Sequence, residues 1–160
     1  MKLAEILEQA NQQMGAGRIE TDQLGVTRLL INDKYLIHLR STQDLKFFHL
    51  YAKVGTLPKS IKKEEVCETL LEANLFGEET NNALFGLHRE SGNIVLMKVF
   101  ETENITVQKY LHDFQLFINY LAHWKEKLSD SSASADSYCS ASETDILTLM
   151  SQRQQKVFFI

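Results

Sequence analysis

The spacing of apolar residues along this chain changes several times, and each change predicts a new structural element. At the start, apolar residues recur every three or four positions from Leu3 to Met14, which is the period of an amphipathic helix. Gly15-Ala16-Gly17 follows, and glycine readily takes the positive φ that ends a helix. From Val26 to Val54 apolar residues instead recur at every second position, which predicts three β-strands.

The turn between the first two strands sets their register. Asn32-Asp33-Lys34 separates them, and asparagine and aspartate tolerate turn geometry. A three-residue loop there places Ile31 opposite Tyr35. A second turn near Ser41-Thr42-Gln43-Asp44 leads into the third strand.

This register predicts two faces of different character. We call one the core face, because its side chains are all apolar: Leu29, Ile31, Tyr35, Ile37, Leu39, Phe48, Leu50, Ala52 and Val54. The other, the outer face, mixes apolar and polar groups and is expected to meet solvent or a partner: Arg28, Leu30, Leu36, His38, Arg40, Phe47, His49, Tyr51 and Lys53.

A helix and a hairpin come next. The helix is predicted from about Lys59 to Phe76, because Pro58 can begin a helix and Gly77 can end one. The segment 83–100 reads as a hairpin that turns at Ser91-Gly92-Asn93. Its second strand is almost entirely apolar, as expected for a strand covered on both faces.

The last helix, Thr106 to Lys127, carries the strongest helical stripe in the chain. Asn104 and Thr106 can each cap its start with a side-chain oxygen, and the sequence leaves that choice open. The order α-β-β-β-α-β-β-α predicts an α+β fold, with three helices and a twisted antiparallel sheet of about five strands. We expect this domain to span residues 1–128.

The composition changes after Leu128. Residues 129–144 contain seven serines, no lysine or arginine and almost no large apolar side chain to bury, so they predict a flexible linker. Residues 145–160 regain apolar positions and are predicted to be an apolar C-terminal tail suited to docking on another surface.

Charge and cysteine content narrow the class of protein. A net charge of −4 and a pI of about 5.7 disfavour a nucleic-acid partner, which calls for a basic surface. The chain has no apolar run near the roughly 20 residues that span a membrane, and its start lacks the apolar centre of a signal peptide. Cys67 and Cys139 lie in dissimilar contexts, so we expect no disulfide and a reducing cytoplasm.

The search for catalytic chemistry finds no complete set of residues. His38 and His49 share the outer face, but zinc normally takes at least three protein ligands and the chain has no zinc-binding spacing. Cys67 lies on an apolar helix, where a free cysteine usually acts as a small hydrophobe. Glycine-rich phosphate loops are absent from the sequence. We therefore expect a binding protein without enzymatic activity, metal or cofactor.

Two predicted surfaces suit partners. The outer face has an apolar centre, Leu30, Leu36, Phe47 and Tyr51, with a charged rim; the alternative is that another helix covers it. The second helix and the strand at 83–88 carry more apolar residues than one domain needs, which suits a homodimer contact: Val66, Leu70, Ala83, Phe85 and Leu87.

Several short motifs occur in an order known from one family. They are Tyr51-Ala52-Lys53-Val54-Gly55, then Leu57-Pro58, then Leu71-Glu72-Ala73-Asn74-Leu75-Phe76-Gly77, and finally Gly86-Leu87. With the order of elements, they resemble the class I effector chaperones of bacterial type III secretion, the CesT-like family. The resemblance covers residues 1–128.

The resemblance implies an acidic, non-enzymatic homodimer in the bacterial cytoplasm that binds N-terminal segments of secreted effectors in extended form. The resemblance also implies that no cofactor is needed. The serine-rich linker and the apolar tail lie beyond the usual end of the family, and the sequence leaves open whether the tail occupies the cargo groove, recruits a second chaperone or contacts export-apparatus components. We expect the cargo to contact the first helix and the outer face, at Leu3, Leu7, Leu30, Leu36, Phe47 and Tyr51. The alternative is a small α/β regulatory or sensory domain that binds a peptide or a small molecule.

Overall fold

The structure, a computed structural model, describes residues 3–14, 21–23, 25–59 and 62–132. Its elements follow the predicted order α-β-β-β-α-β-β-α. They are α1 (Leu3–Met14), β1 (Val26–Ile31), β2 (Tyr35–Ser41), β3 (Phe47–Thr56), α2 (Lys63–Asn74), β4 (Leu84–His88), β5 (Asn93–Glu101) and α3 (Val107–Ser132).

The five strands form one antiparallel sheet in the order β1-β2-β3-β5-β4. The predicted pairing of Ile31 with Tyr35 is confirmed, and both Asn32 and Asp33 adopt a φ of 53° in the loop between them. β1 and β4 are the edge strands. β5 lies between β3 and β4, and the prediction that it is covered on both faces holds for its first half, Asn93 to Leu96, whereas Val99 and Glu101 are exposed.

The core face is confirmed as the side of the sheet that packs against the helices. Phe48 of β3 stacks on Phe100 of β5, with ring centroids 4.8 Å apart, and Tyr110 of α3 lies against both rings. Trp124 of α3 is fully buried, and its indole N–H donates to the Glu79 carbonyl at 3.2 Å. α1 packs on α3, so the helices make one layer over this face.

The bounds of α2 differ from the prediction. The helix begins at Lys63 rather than near Lys59, so Pro58 lies outside it. It ends at Asn74 rather than Phe76, because Leu75 is extended and Phe76 takes a φ of 59°. Two left-handed residues in a row, Phe76 and Gly77, cannot continue a right-handed helix.

The start of α3 is resolved in favour of Thr106. Its hydroxyl oxygen accepts a hydrogen bond from the Lys109 backbone N–H at 3.2 Å, which makes it the N-cap. The helix continues to Ser132, past the predicted domain boundary at Leu128, whose side chain is half-buried against the core. Most of the predicted linker and all of the apolar tail, residues 133–160, lie outside the described residues, as does Gly15-Ala16-Gly17.

Candidate functional site

The centre of the outer face is filled by the chain's own side chains. Tyr51 is 2% exposed and packs in a cluster with Val26 and Val95. Its ring also stacks on His38, with centroids 5.1 Å apart and the planes at 14°. Tyr51 is on the predicted face, but the expectation that it is an exposed anchor is wrong, because strands on both sides of β3 supply side chains that cover it.

The Tyr51 hydroxyl is the unusual group at this centre. It is buried and makes no hydrogen bond within the described part of the chain. Burial raises the pKa of Tyr51 to about 12, against the opposing effect of the Arg40 and Arg28 charges. Burial also lowers the pKa of His49, and the charge of Arg40 adds to that effect. Burial therefore disfavours the charged forms of both Tyr51 and His49.

Exposed apolar side chains lie toward two ends of this face. Leu30 is 59% exposed and pairs across β1 and β2 with half-buried Leu36. Toward the opposite end, Phe47 is 40% exposed and lies diagonally across from exposed Val99 of β5. The sequence prediction missed Val99, because β5 was read as covered on both faces. Two apolar pairs on either side of a closely packed centre suit an extended segment that lies against this face.

Charged groups surround the two pairs. Arg28 forms an ion pair with Asp22, with 2.9 Å between the guanidinium nitrogen and the carboxylate oxygen. Lys46 is exposed beside Phe47, and Lys53 is half-buried on β3. This arrangement matches the predicted apolar centre with a charged rim only in part, because the apolar groups are divided between two places.

Helix α1 lies on the other side of the sheet. Ile6 and Ala10 are fully buried, and Leu7 is half-buried against the same core. The structure therefore does not bring Leu7 onto one face with Leu30 and Phe47. A single bound segment that touches both must pass around an edge or an end of the sheet. The side chain of Leu3, the remaining predicted cargo contact, lies outside the described residues.

The predicted dimer residues are mostly part of the protomer core. Val66, Leu70 and Ala83 are buried, and Phe85 lies edge-on against Trp124 with centroids 4.8 Å apart. Of the predicted set, Leu87 is exposed. The idea that these five residues are surplus apolar surface is wrong for the other four, because α2 and β4 use them to close the core.

A different apolar set is exposed on α2, on the loop that follows it and on β4. We call it the α2–β4 surface, and Phe76 is its most exposed member at 83%; the full set is Leu71, Leu75, Phe76, Leu84 and Leu87. A signal for it exists in the sequence. Leu70 and Leu71 are adjacent on a helix, so they point in different directions and cannot both enter the core.

The described residues contain no group of three or more histidine, cysteine, aspartate or glutamate side chains that could hold a metal ion. His38 and His49 lie on the outer face as predicted, but they are not opposite each other across β2 and β3. His38 lies opposite Tyr51, and His49 lies opposite Arg40. No helix of the described chain is long and apolar enough to cross a membrane.

The heptapeptide that ends α2 links these surfaces to a family. Asn74 within it bonds to both main-chain groups of Phe85 on β4, so the motif joins the helix to the edge of the sheet. A family model, the Tir chaperone protein (CesT) family, matches residues 5–125. The chain belongs to this family. Its members are type III secretion chaperones that bind effectors, and this chain is one of them.

Individual relatives of this CesT-family chain share low sequence identity with it. A Chlamydia pneumoniae protein (CPj0713/CpB0740) is 27% identical over 110 residues, which cover 69% of this chain and 82% of the relative. Among solved structures, the HopA1–SchA chaperone–effector complex contains a similar chain (TM-score 0.62, 15% identity, 77% of this chain and 92% of that one).

Two further structures define what the fold alone shows. Yersinia pestis SycH, solved with a fragment of YscM2, has a TM-score of 0.59 at 17% identity, covering 75% of this chain and 97% of that one. E. coli YbjN, whose proposed role is in transcription regulation, has a TM-score of 0.60 at 9% identity, covering 81% and 93%. At these identities the likeness establishes the fold, which proteins with other roles share.

Proposed function

We propose that this CesT-family chaperone holds the N-terminal segment of a secreted effector in extended form against the outer face of its sheet. The observation that carries the proposal is the pair of apolar sites, Leu30 with Leu36 and Phe47 with Val99, on either side of a closely packed centre. Large apolar side chains that remain exposed on a sheet face indicate a surface that a partner covers.

An extended segment fits this spacing better than a helix or a folded domain. A segment that is disordered before binding can place successive side chains on separate apolar sites and run its main chain along a strand edge. Such binding tolerates varied sequences, so one chaperone can serve several effectors. The charged rim at Arg28 and Lys46 then limits which segments fit.

The remaining parts of the proposal concern the oligomeric state of the protein and its location in the cell. The protein acts in the bacterial cytoplasm, without enzymatic activity, as a homodimer through the α2–β4 surface. The exposed apolar residues of α2, of the loop that follows it and of β4 support a covered interface. The C-terminal tail is available to contact export-apparatus components or a second chaperone.

A binding experiment on the outer face tests the cargo site. Replacing Leu30 and Phe47 together by serine should weaken cargo binding by tenfold or more, since burying an apolar side chain of this size contributes about 1.5–3 kcal/mol. The measurement is titration calorimetry with the N-terminal segment of a secreted protein that co-purifies from the native cell. Both residues are exposed, so the melting temperature should change little.

A matched control comes from Leu45, which is exposed in the turn before β3 and has a φ of 57°. Leu45→Asn removes a similar apolar area, and asparagine tolerates that backbone conformation. It should leave cargo affinity unchanged. Equal losses in Leu45→Asn and in the double variant would show that cargo does not select the two apolar sites.

The alternative function predicted from the sequence is a regulatory or sensory domain that binds a peptide or a small molecule. The two functions differ in what they capture. A chaperone retains unfolded N-terminal segments of secreted proteins, whereas a regulatory domain retains a folded partner or a small molecule. Trimming the captured proteins with protease while they are bound separates the two, because only the chaperone protects an N-terminal segment.

A further inference from the structure

The edge strand β4 offers main-chain groups to solvent at alternate residues. Leu84, Gly86 and His88 face β5 in the ladder, so the outward groups belong to Ala83, Phe85 and Leu87. An edge of this kind is a ready template for another strand. Leu84 and Leu87 are exposed on opposite faces of β4, so the template carries an apolar side chain on each face.

The outward groups of Phe85 are already occupied by one side chain. The Phe85 N–H donates to the Asn74 amide oxygen at 2.7 Å, and the Asn74 amide nitrogen donates to the Phe85 carbonyl at 3.3 Å. A neighbouring antiparallel strand makes the same pair of bonds with a residue of a ladder. The Asn74 side chain therefore takes the place of one residue of an added strand.

The outward groups of Ala83 are occupied in a second way. Its N–H donates to the Thr80 carbonyl at 3.1 Å, and the Thr80 hydroxyl donates to the Ala83 carbonyl at 2.6 Å. Thr80 is almost completely buried, so this contact is fixed in the fold. Within the described chain, Leu87 is left as the outward position of β4 for which no such partner occurs.

The sequence builds this arrangement with a tight turn. Phe76 and Gly77 both take positive φ, and the Asn82 N–H then donates to the Gly77 carbonyl at 2.9 Å. A Cβ at Gly77 would come within 2.7 Å of the Asn82 amide oxygen and 2.9 Å of its Cα, so glycine is required here. The turn returns the chain to the sheet with Asn74 directly beside Phe85.

We propose that Asn74 and Thr80 close the β4 edge to strand addition, so that extended segments are excluded from it. A second copy of the chain then meets the α2–β4 surface through side chains, without forming a continuous sheet. An effector segment adds main-chain bonds at the Leu30 end of the other edge, β1, because the outward groups of Val26 at its start already bond to Asp22. The statement about effectors rests on the proposed function; the closure of β4 does not.

Amide hydrogen exchange tests the closure in the full-length protein. In the wild type, the Phe85 amide should exchange about tenfold more slowly than the Leu87 amide, as expected for one added hydrogen bond. This difference should be the same at every protein concentration. Asn74→Ala should raise Phe85 exchange to the Leu87 rate and leave Gly86, which bonds to β5, protected. Asn119→Ala is the control, because Asn119 is an exposed asparagine whose amide oxygen accepts from Gln115 on α3.

A strand-forming probe tests the exclusion directly. The probe is a synthetic spin-labelled peptide with the sequence of β5, Asn93–Glu101, which already pairs with β4 inside the fold. It should broaden the amide signals of Phe85 and Leu87 in Asn74→Ala and not in the wild type or in Asn119→Ala. Asn74→Leu, which keeps the volume and removes both bonds, serves if the alanine variant does not fold.

Three results would overturn the proposal. They are an unprotected Phe85 amide in the wild type, peptide broadening that is equal in the wild type and the variants, and no broadening in variants whose Phe85 amide has been released. None of these measurements uses an effector. A failure of the edge closure is thereby separated from a failure of the chaperone function, which the outer-face titration tests.

Discussion

At the scale of single residues, the position of a strand within the sheet determines how exposed its side chains are. The alternation of apolar and polar residues along the sequence does not predict this exposure. Tyr51 and Leu30 both point to the outer face, yet one is 2% and the other 59% exposed. Tyr51 lies on the central strand β3, where neighbours on both sides cover it, whereas Leu30 lies on the edge strand β1. The sequence correctly predicts the face on which each of these side chains lies. How far neighbouring strands cover a side chain depends on the strand order β1-β2-β3-β5-β4, and that order is set by contacts between residues far apart in the sequence.

The buried Tyr51 hydroxyl leads to a prediction about stability and binding together. Tyr51→Phe removes a buried hydroxyl that makes no hydrogen bond, so the free energy of unfolding should stay the same or rise by about 1 kcal/mol. If cargo supplies the missing partner, the same change should lower cargo affinity. Urea unfolding and titration calorimetry measure the two effects.

Tyr110→Phe is the matched control for this substitution. The Tyr110 hydroxyl is also buried without a hydrogen-bond partner in the described chain, but it lies in the core beneath the helices. Its removal should affect stability in the same direction and leave cargo affinity unchanged. A clear loss of stability in Tyr51→Phe alone would contradict the account, because it would mean that the hydroxyl is bonded in the free protein.

The raised pKa of Tyr51 predicts how stability depends on alkaline pH. An unfolded tyrosine ionises near pH 10, whereas burial raises the pKa of Tyr51 in the folded chain to about 12. Its contribution is fully present below about pH 10 and is lost as the pH rises toward 12, because only the unfolded chain releases the proton in that range. The urea midpoint should fall less between about pH 9 and pH 11 in Tyr51→Phe than in the wild type.

At the scale of elements, the bounds depended on side-chain contacts that a pattern does not contain. The period of the apolar residues predicted every helix and strand, because a buried face imposes it. It did not predict that α2 ends at Asn74, since that end is made by an amide that reaches across to Phe85. In the heptapeptide, Asn74 and Gly77 have the structural role, whereas Leu71, Leu75 and Phe76 are exposed.

The start of α3 gives a prediction at this scale. Thr106→Ala removes the side-chain oxygen that accepts the Lys109 N–H, and loss of such a cap typically costs about 1 kcal/mol. Asn104→Ala should cost much less, because Asn104 is exposed two residues before the cap. Thermal and urea unfolding of the two variants check this. A larger loss of stability in Asn104→Ala than in Thr106→Ala would mean that Thr106 is not the N-cap.

At the scale of the whole molecule, the α2–β4 surface predicts how two copies meet. Leu75→Glu with Leu87→Glu should convert the dimer to a folded monomer, because a charge buried without a partner in an interface costs several kcal/mol, on the order of its desolvation. Leu70→Glu, in the protomer core, should instead destabilise the fold itself. Light scattering and circular dichroism distinguish these results.

Leu45→Glu is the control for added charge, since Leu45 is exposed away from this surface. It should leave the dimer intact. A dimer that survives the double glutamate variant would mean that two copies meet elsewhere. If the wild-type protein is monomeric at micromolar concentration, a homodimer contact cannot explain why the leucines of this surface are exposed.

The central claim is that secreted effectors bind in extended form through their N-terminal segments at the outer face, and crosslinking tests it most directly. A photoreactive amino acid is placed at Leu30, or at the control position His112 on the exposed side of α3, in the full-length protein inside a secreting cell. The account predicts that Leu30 captures N-terminal segments of secreted proteins and that His112 does not. Capture of folded internal regions at Leu30, or equal capture at both positions, would contradict it.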